Sequence, residues 1–317
     1  MRTGAVAAAL LLVPVLLAAQ PVPTFMTSVE TVYVDAFVTR DGGPVPGLAA
    51  TDFEIRDNGV KQEVTLARLE EVPIVAVLAF DVSGSVVGEG LEDLRAGGRA
   101  LLAGLRSHDQ AALIVFSQEL RVVVPQEGDR SAAERGLDDL RPQGVTGLWD
   151  GLYAALKLPV SRGRPMVVLF TDGQDNVSWL TREQVHRVAE ESDALVYVVA
   201  IEPRAGQARP IDLPDSSLTL QSLSYLGHAH GAEASALRAL RLLAEATGGR
   251  LWPAGSSAQL KQTFQQILTE MRSRYLLSYS PTGVAGEGWH RLEVKVKGHR
   301  ATVRSRTGYS VAARAGQ

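Results

Sequence analysis

The stretch PIVAVLAFDVSGS, residues 73–85, passes directly from an apolar run to a polar sequence. The apolar part is uninterrupted, which predicts a parallel strand covered on both faces. After it, Asp81, Ser83 and Ser85 stand at alternate positions, with Gly84 among them. All three side chains offer oxygen atoms. The segment therefore forms a turn, contains a nucleophile or contributes to a metal site. The rest of the sequence is needed to distinguish these three alternatives.

Strands of the same type recur, and helical patterns separate them. The runs at 166–170 and 194–201 are again continuously apolar, whereas 90–106 has helical periodicity. Strands that alternate with helices are typical of α/β domains. Over 73–275 we predict a doubly wound, mostly parallel sheet flanked by helices. Within it, the polar segment 204–233 has little periodicity, which predicts a long surface loop.

The segments on either side of this block have β character. Residues 26–71 contain VETVYVDAFVTR, which alternates as a half-buried strand does, and DNG at 57–59, which favours a hairpin turn. Residues 276–313 contain further strand-like runs, such as HRLEVKVKG. We predict that the two segments pack together as a small β-sandwich into which the α/β domain is inserted.

Residues 1–20 have the pattern of a secretory signal peptide. Arg2 precedes an apolar stretch from Ala5 to Leu17, and small residues follow. The apolar stretch is shorter than the roughly 20 residues that a membrane span needs. We therefore expect an exported protein, periplasmic or secreted, with no membrane span after removal of the signal. An uncleaved anchor is the alternative.

The composition excludes several classes of protein. With 45% hydrophobic and 21% charged residues, the chain has the profile of a globular protein. Its net charge is −3 and it has no long basic run, which argues against a nucleic-acid partner. The chain contains no cysteine, so disulfides and thiolate metal sites are excluded.

Two distant polar residues are expected to join the first three. Thr146 lies in a glycine-flanked loop before a helical stretch, and Asp172 follows an apolar strand directly. In an open α/β sheet, the loops at the carboxyl ends of strands converge, and ligands bind there. If the loops meet, two carboxylates and three hydroxyls surround one point. A hard divalent cation such as Mg2+, which takes about six oxygen ligands, suits this set. The serines are thus predicted to be ligands and not nucleophiles.

This ordered set resembles the metal-ion-dependent adhesion site of the von Willebrand factor A domain. Residues 81–85 have the pattern DxSxS, Thr146 stands where that family has a distant threonine, and FTDG supplies Asp172. The resemblance covers about residues 73–275. The flanking sequences are similar to those of bacterial exported proteins related to this family.

The resemblance implies a role for each of the five residues. Ser83 and Ser85 would bind the metal directly, and Thr146 would do so depending on the state of the domain. Asp81 and Asp172 would supply negative charge, partly through water. The implied ion is Mg2+, with Mn2+ and Ca2+ as alternatives. The implied function is adhesion, in which the cation binds an acidic side chain of a partner protein.

Other functions remain open from the sequence. The chain could be a structural or assembly module of the cell envelope whose partner binds the β-sandwich or the segment 204–233. A cytoplasmic partner of an ATPase, another role in the family, would require that residues 1–20 are not a signal. Enzymatic activity is not expected, because Ser83 and Ser85 have no evident base and neither a G-x-S-x-G elbow nor a Walker A loop is present.

Four more side chains follow the predicted ligand loops. Asp150 could orient a water at the metal or be a solvated or capping acid, and Asp175 is expected to be a loop acid. Trp149 and Trp179 could form an aromatic rim that binds a protein, or pack beneath the loops.

The segment 204–233 also contains an H-x-H pair, His228 and His230. Two imidazoles could bind zinc, but no third ligand with suitable spacing is evident. We expect loop histidines there.

Overall fold

The computed structural model describes residues 31–66, 72–125, 130–160, 163–201, 235–254, 257–284, 286–298 and 300–311. The signal-like segment 1–20 and the segment 204–233, with its two histidines, lie outside these ranges. The described residues form an α/β unit and a β unit. Among them, no helix combines the length and the apolar character that crossing a membrane requires.

The α/β unit is built on one sheet of six strands. These are β6 (Ile74–Asp81), β7 (Gln110–Phe116), β8 (Leu120–Val124), β9 (Arg164–Thr171), β10 (Leu195–Ile201) and β11 (Arg250–Ala254). Their order across the sheet is β11-β10-β9-β6-β7-β8. All neighbours are parallel except β8, which is antiparallel to β7. β6 is therefore an interior strand, and every one of its residues is buried.

Helices cover both faces of this sheet. One face packs against α1 (Glu89–Gly104), α2 (Arg130–Asp138) and α6 (Ser257–Arg272). The other packs against α3 (Leu148–Lys157), α4 (Arg182–Glu191) and α5, a helix described over 235–246. A Cβ added at Gly97 of α1 would lie 2.3 Å from the ring of Phe264 in α6. Glycine at this position thus allows the two helices to approach closely.

The β unit combines strands from both ends of the chain. One antiparallel sheet contains β1 (Val32–Arg40), β2 (Gly43–Pro44), β5 (Thr65–Leu66), β12 (Tyr275–Tyr279) and β14 (Thr302–Arg304). The other contains β3 (Phe53–Asp57), β4 (Val60–Gln62), β13 (Gly288–Val296) and β15 (Gly308–Val311). β1 pairs with β12 and β14, and β3 pairs with β13. Both sheets contribute to one apolar core, which includes Val34, Ile55, Leu277 and Leu292.

The hairpin between β3 and β4 turns at Asn58 and Gly59, whose φ angles of 47° and 84° are the positive values that such a turn favours. The preceding Asp57 has a further role that the sequence does not indicate. It is fully buried and accepts hydrogen bonds from the hydroxyls of Tyr279 (2.9 Å) and Tyr309 (2.8 Å). Asp57 therefore ties three strands of the β unit together.

The two units meet at a buried charged cluster where α6 ends. Arg274 has no exposed surface and binds Glu270 at 2.9 Å. Glu270 also accepts a 2.6 Å hydrogen bond from the Tyr197 hydroxyl and pairs with Arg304 of β14. Burial by itself would raise the pKa of Glu270, but the positive charges of Arg274 and Arg304 outweigh burial and lower it. Glu270 is thus an ionised carboxylate shared between the α/β unit and the β unit.

Candidate functional site

Three loops at the carboxyl edge of the six-stranded sheet are joined by backbone hydrogen bonds. After β6, the amide of Gly84 donates to the Gly144 carbonyl (2.9 Å), and the Val82 carbonyl accepts from Gln143 (2.8 Å). The Thr146 carbonyl in turn accepts from the amide of Asn176, beyond β9, at 2.8 Å. The loops that carry Ser83, Thr146 and Asp172 therefore lie side by side.

The two acidic residues of the predicted ligand set, Asp81 and Asp172, are both buried. Asp81 ends β6 with no exposed surface, and Asp172, next to the end of β9, is 5% exposed. Asp81 accepts hydrogen bonds from the Ser83 amide and from the Thr171 hydroxyl, each at 3.0 Å. Burial, followed by the negative charge of Asp172, raises the pKa of Asp81 to about 7, although the hydrogen bonds from Ser83 and Thr171 act in the opposite direction. Two buried acids therefore lie in adjoining loops.

The hydroxyls of the predicted set lie in the same loops. The oxygens Oγ of Ser83 and Ser85 are 2.9 Å apart. Ser83 and Thr146 are each 2% exposed, whereas Ser85 is exposed to solvent. The set therefore has a buried side, formed by the acids, and an open side at Ser85.

This donor set fits a hard divalent cation. All five side chains offer oxygen, which is the ligand type that Mg2+ takes in proteins. Two buried carboxylates that repel one another are costly without a positive charge between them, and a cation would remove that cost. In the part of the chain that the structure describes, no three His, Asp or Glu residues gather as a metal cluster.

The high pKa of Asp81 predicts a distinctive pH dependence of the metal-free protein. Its ordinary value is 3.8 and its folded value is about 7, so between these pH values the unfolded chain releases a proton that the folded protein retains. Stability should therefore fall as the pH rises from 3.8 to about 7, and the loss should be complete above that. Thermal unfolding in the presence of a chelator, at a series of pH values, measures this loss of stability.

The matched control for this pH dependence is Asp81→Asn, which should flatten the profile between the two pKa values. Added Mg2+ should raise the melting temperature most at the upper end, because the cation binds ionised carboxylates. A metal-free wild-type profile that matches that of Asp81→Asn over this interval would contradict the interpretation.

Asp150 and Asp175 hold the loops in place. The two carboxylate oxygens of Asp150 accept from the amides of Trp179 and Leu180, each at 3.0 Å. Asp175 accepts from the Leu148 amide at 3.0 Å and so caps the start of α3. Asp150 thus bonds the backbone of the loop that precedes α4, whereas its expected role at a metal-bound water stays a prediction.

The two tryptophans have opposite positions. Trp149 is 3% exposed and packs in the core beneath the loops, so it is not part of a rim. Trp179 is 94% exposed.

Sequence reasoning overlooked Thr171, whose hydroxyl donates to Asp81 and accepts from the Gly173 amide. The only signal for Thr171 was its position beside Asp172 in FTDG.

Residues 76–174 match the von Willebrand factor type A domain family. This segment is therefore similar to VWA domains, a class that commonly mediates protein–protein interactions. The five candidate ligands all fall within the matched range. A comparison with curated proteins finds no match.

Several solved structures resemble the chain in fold. A von Willebrand factor type A protein from Catenulispora acidiphila has a TM-score of 0.49 and 14% identity, with 83% of this chain and 74% of that one covered. A conserved hypothetical protein, BatB, from Bacteroides thetaiotaomicron has a TM-score of 0.43 and 14% identity, covering 63% of this chain and 98% of that one.

Proposed function

We propose that this protein is an exported adhesion-type module that binds a partner protein through a divalent cation. The observation that supports the proposal most directly is the meeting of the three loops, which places two buried acids and three hydroxyls at one edge of the sheet. The cation would be Mg2+, with Mn2+ or Ca2+ as alternatives. No enzymatic step is part of the proposal.

The five residues would have different roles in binding the ion. Ser83 and Ser85 would bind the ion directly, Thr146 would do so depending on the state of the domain, and Asp81 and Asp172 would supply the compensating charge. A bound ion supplies a positive charge that can take a carboxylate oxygen from a partner. Five protein ligands would leave one position of a six-coordinate ion open for that carboxylate.

Apolar side chains border every one of the three loops on the outside. Val87 is 57% exposed, Val145 44%, Val177 42% and Trp179 94%. Asp150 holds the backbone of Trp179, so a partner that covers the indole would have to order the side chain but not the backbone. We infer that the partner presents an Asp or Glu flanked by apolar residues, since exposed aromatic side chains often dominate binding energy.

We further propose that residues 1–20 are a signal peptide and that the protein is periplasmic or secreted. The proposed VWA domain spans 73–275, and it would be inserted in a small β-sandwich that 26–71 and 276–313 form together. The competing function is a cell-envelope assembly module that uses the β unit or the segment 204–233 for its partner.

Selection from a random peptide display library separates the two functions. With Mg2+ present, the signal-free protein should enrich peptides that carry Asp or Glu beside apolar residues, and a chelator should abolish the enrichment. The matched control is the Ser83→Ala, Ser85→Ala variant, which should enrich none of them. Enrichment that survives the chelator would support the assembly module.

Trp179→Ala should weaken binding of a selected acidic peptide by about 10- to 100-fold, since it removes an exposed aromatic contact. Its Mg2+ affinity should not change, because no bond to a ligand residue involves the indole. Fluorescence anisotropy of the labelled peptide measures the first quantity and metal titration the second. An unaltered peptide affinity would show that Trp179 does not contribute to partner binding, but it would not contradict the metal site.

A further inference from the structure

A cavity of about 500 Å3 lies between the two units, near the amino-terminal ends of β9 and β10. The candidate metal site is at the opposite, carboxyl edge of the sheet. Aliphatic side chains from both units line the cavity, among them Val77, Leu156, Val167, Leu195 and Leu276. Ligand pockets typically have volumes of roughly 300–1,000 Å3 and often lie between domains.

The alternation of β1 explains how the β unit contributes to this cavity. Val32, Val34 and Ala36 point into the core of the β unit, so the residues between them face the other way. Tyr33 and Asp35 consequently line the cavity. Tyr33 is half exposed, which places it where the cavity opens to solvent.

Among the lining residues that the structure describes, the charged groups are already paired. Arg164 forms an ion pair with Asp35 across the two units. Arg306 binds Asp193 at 2.7 Å and also donates to the carbonyl of Ser192 at 3.0 Å. Two positive and two negative charges therefore cancel. A charged ligand would lose its hydration here without gaining an opposite charge that is free to pair.

We propose that this cavity binds an uncharged amphiphile with an apolar body and a hydroxyl- or carbonyl-bearing head, such as a monoacylglycerol. The apolar body lies against the aliphatic wall, and the head meets the polar groups near Asp35 and Ser192. Its binding contacts both units at once. The site is independent of the metal and of the acidic partner.

The test uses the signal-free protein and the neutral fluorescent dye Nile red as probe. The dye should bind saturably with a blue-shifted emission, and monodecanoylglycerol below its aggregation concentration should displace it. Decanoate, which has the same chain and a negative charge, should displace it at least about tenfold less well. If decanoate displaced the dye equally well, the proposal that the cavity selects an uncharged ligand would be wrong.

Two cavity-filling variants locate the probe. Val160 and Val72 both line the cavity, are partly buried and lie outside helices and strands, so Val160→Trp and Val72→Trp should fold. Each should weaken dye binding by at least about tenfold. The control Leu120→Trp, at an exposed position of β8, should leave dye binding unchanged. Wild-type affinity in both filled variants, or no saturable binding in the wild type, would refute the proposal.

Discussion

Replacing Glu270 with glutamine should lower the free energy of unfolding by about 3–5 kcal/mol, which is typical when one partner of a buried ion pair is removed. Glu270 is 5% exposed and is the carboxylate that Arg274 and Arg304 both contact. The amide has the same shape but no charge, so it would leave two guanidinium groups at the junction without their counter-ion.

The measurement is denaturant unfolding at neutral pH. The matched control is Glu92→Gln, which removes a carboxylate from the Arg95 pair at the surface, where Glu92 is 67% exposed. Such surface pairs contribute less than about 1 kcal/mol, so the control should be nearly as stable as the wild type. A loss of similar size in both variants would contradict the proposed role of the cluster.

The double variant Ser83→Ala, Ser85→Ala should bind Mn2+ at least about 100-fold more weakly than the wild type, because it removes two of the five proposed ligands. The two hydroxyls contact one another, so removing both together leaves neither without its partner. The fold should therefore survive the change. Electron paramagnetic resonance of free Mn2+ gives the affinity.

The matched control for the double variant is Ser305→Ala, a hydroxyl change in the β unit far from the loops, which should leave Mn2+ affinity unaltered. Circular dichroism should show the same spectrum for all three proteins. If the double variant retained wild-type affinity, then Ser83 and Ser85 would not be ligands.

Much of the α/β unit could be predicted because its strands are buried on both faces and their sequences show it. The runs that end at Asp81 and Thr171 are continuously apolar, and both are interior strands. Because the loops at the carboxyl ends of the strands converge in such a sheet, Thr146 and Asp172 were predicted to lie at the same edge as Ser83. The loops do meet there.

Other features could not be predicted because they depend on which distant segments meet. Glu270 and Arg304 are far apart in the chain, and nothing in either local sequence marks them as partners. From its sequence context Asp57 is predicted to be a turn residue, but in the structure it is a buried carboxylate that accepts hydrogen bonds from two tyrosines. Trp149 and Trp179 follow similar loops, yet one is buried and the other exposed, because only Trp149 lies on the inner face of a helix.

The decisive experiment on the metal site is calorimetric titration of the signal-free protein with Mg2+, beside an Asp172→Ala variant. We expect saturable binding to one site in the wild type and none in the variant. Binding that persists in Asp172→Ala, or a wild-type protein that binds neither Mg2+ nor Mn2+ and Ca2+, would contradict the metal site on which the proposed function rests.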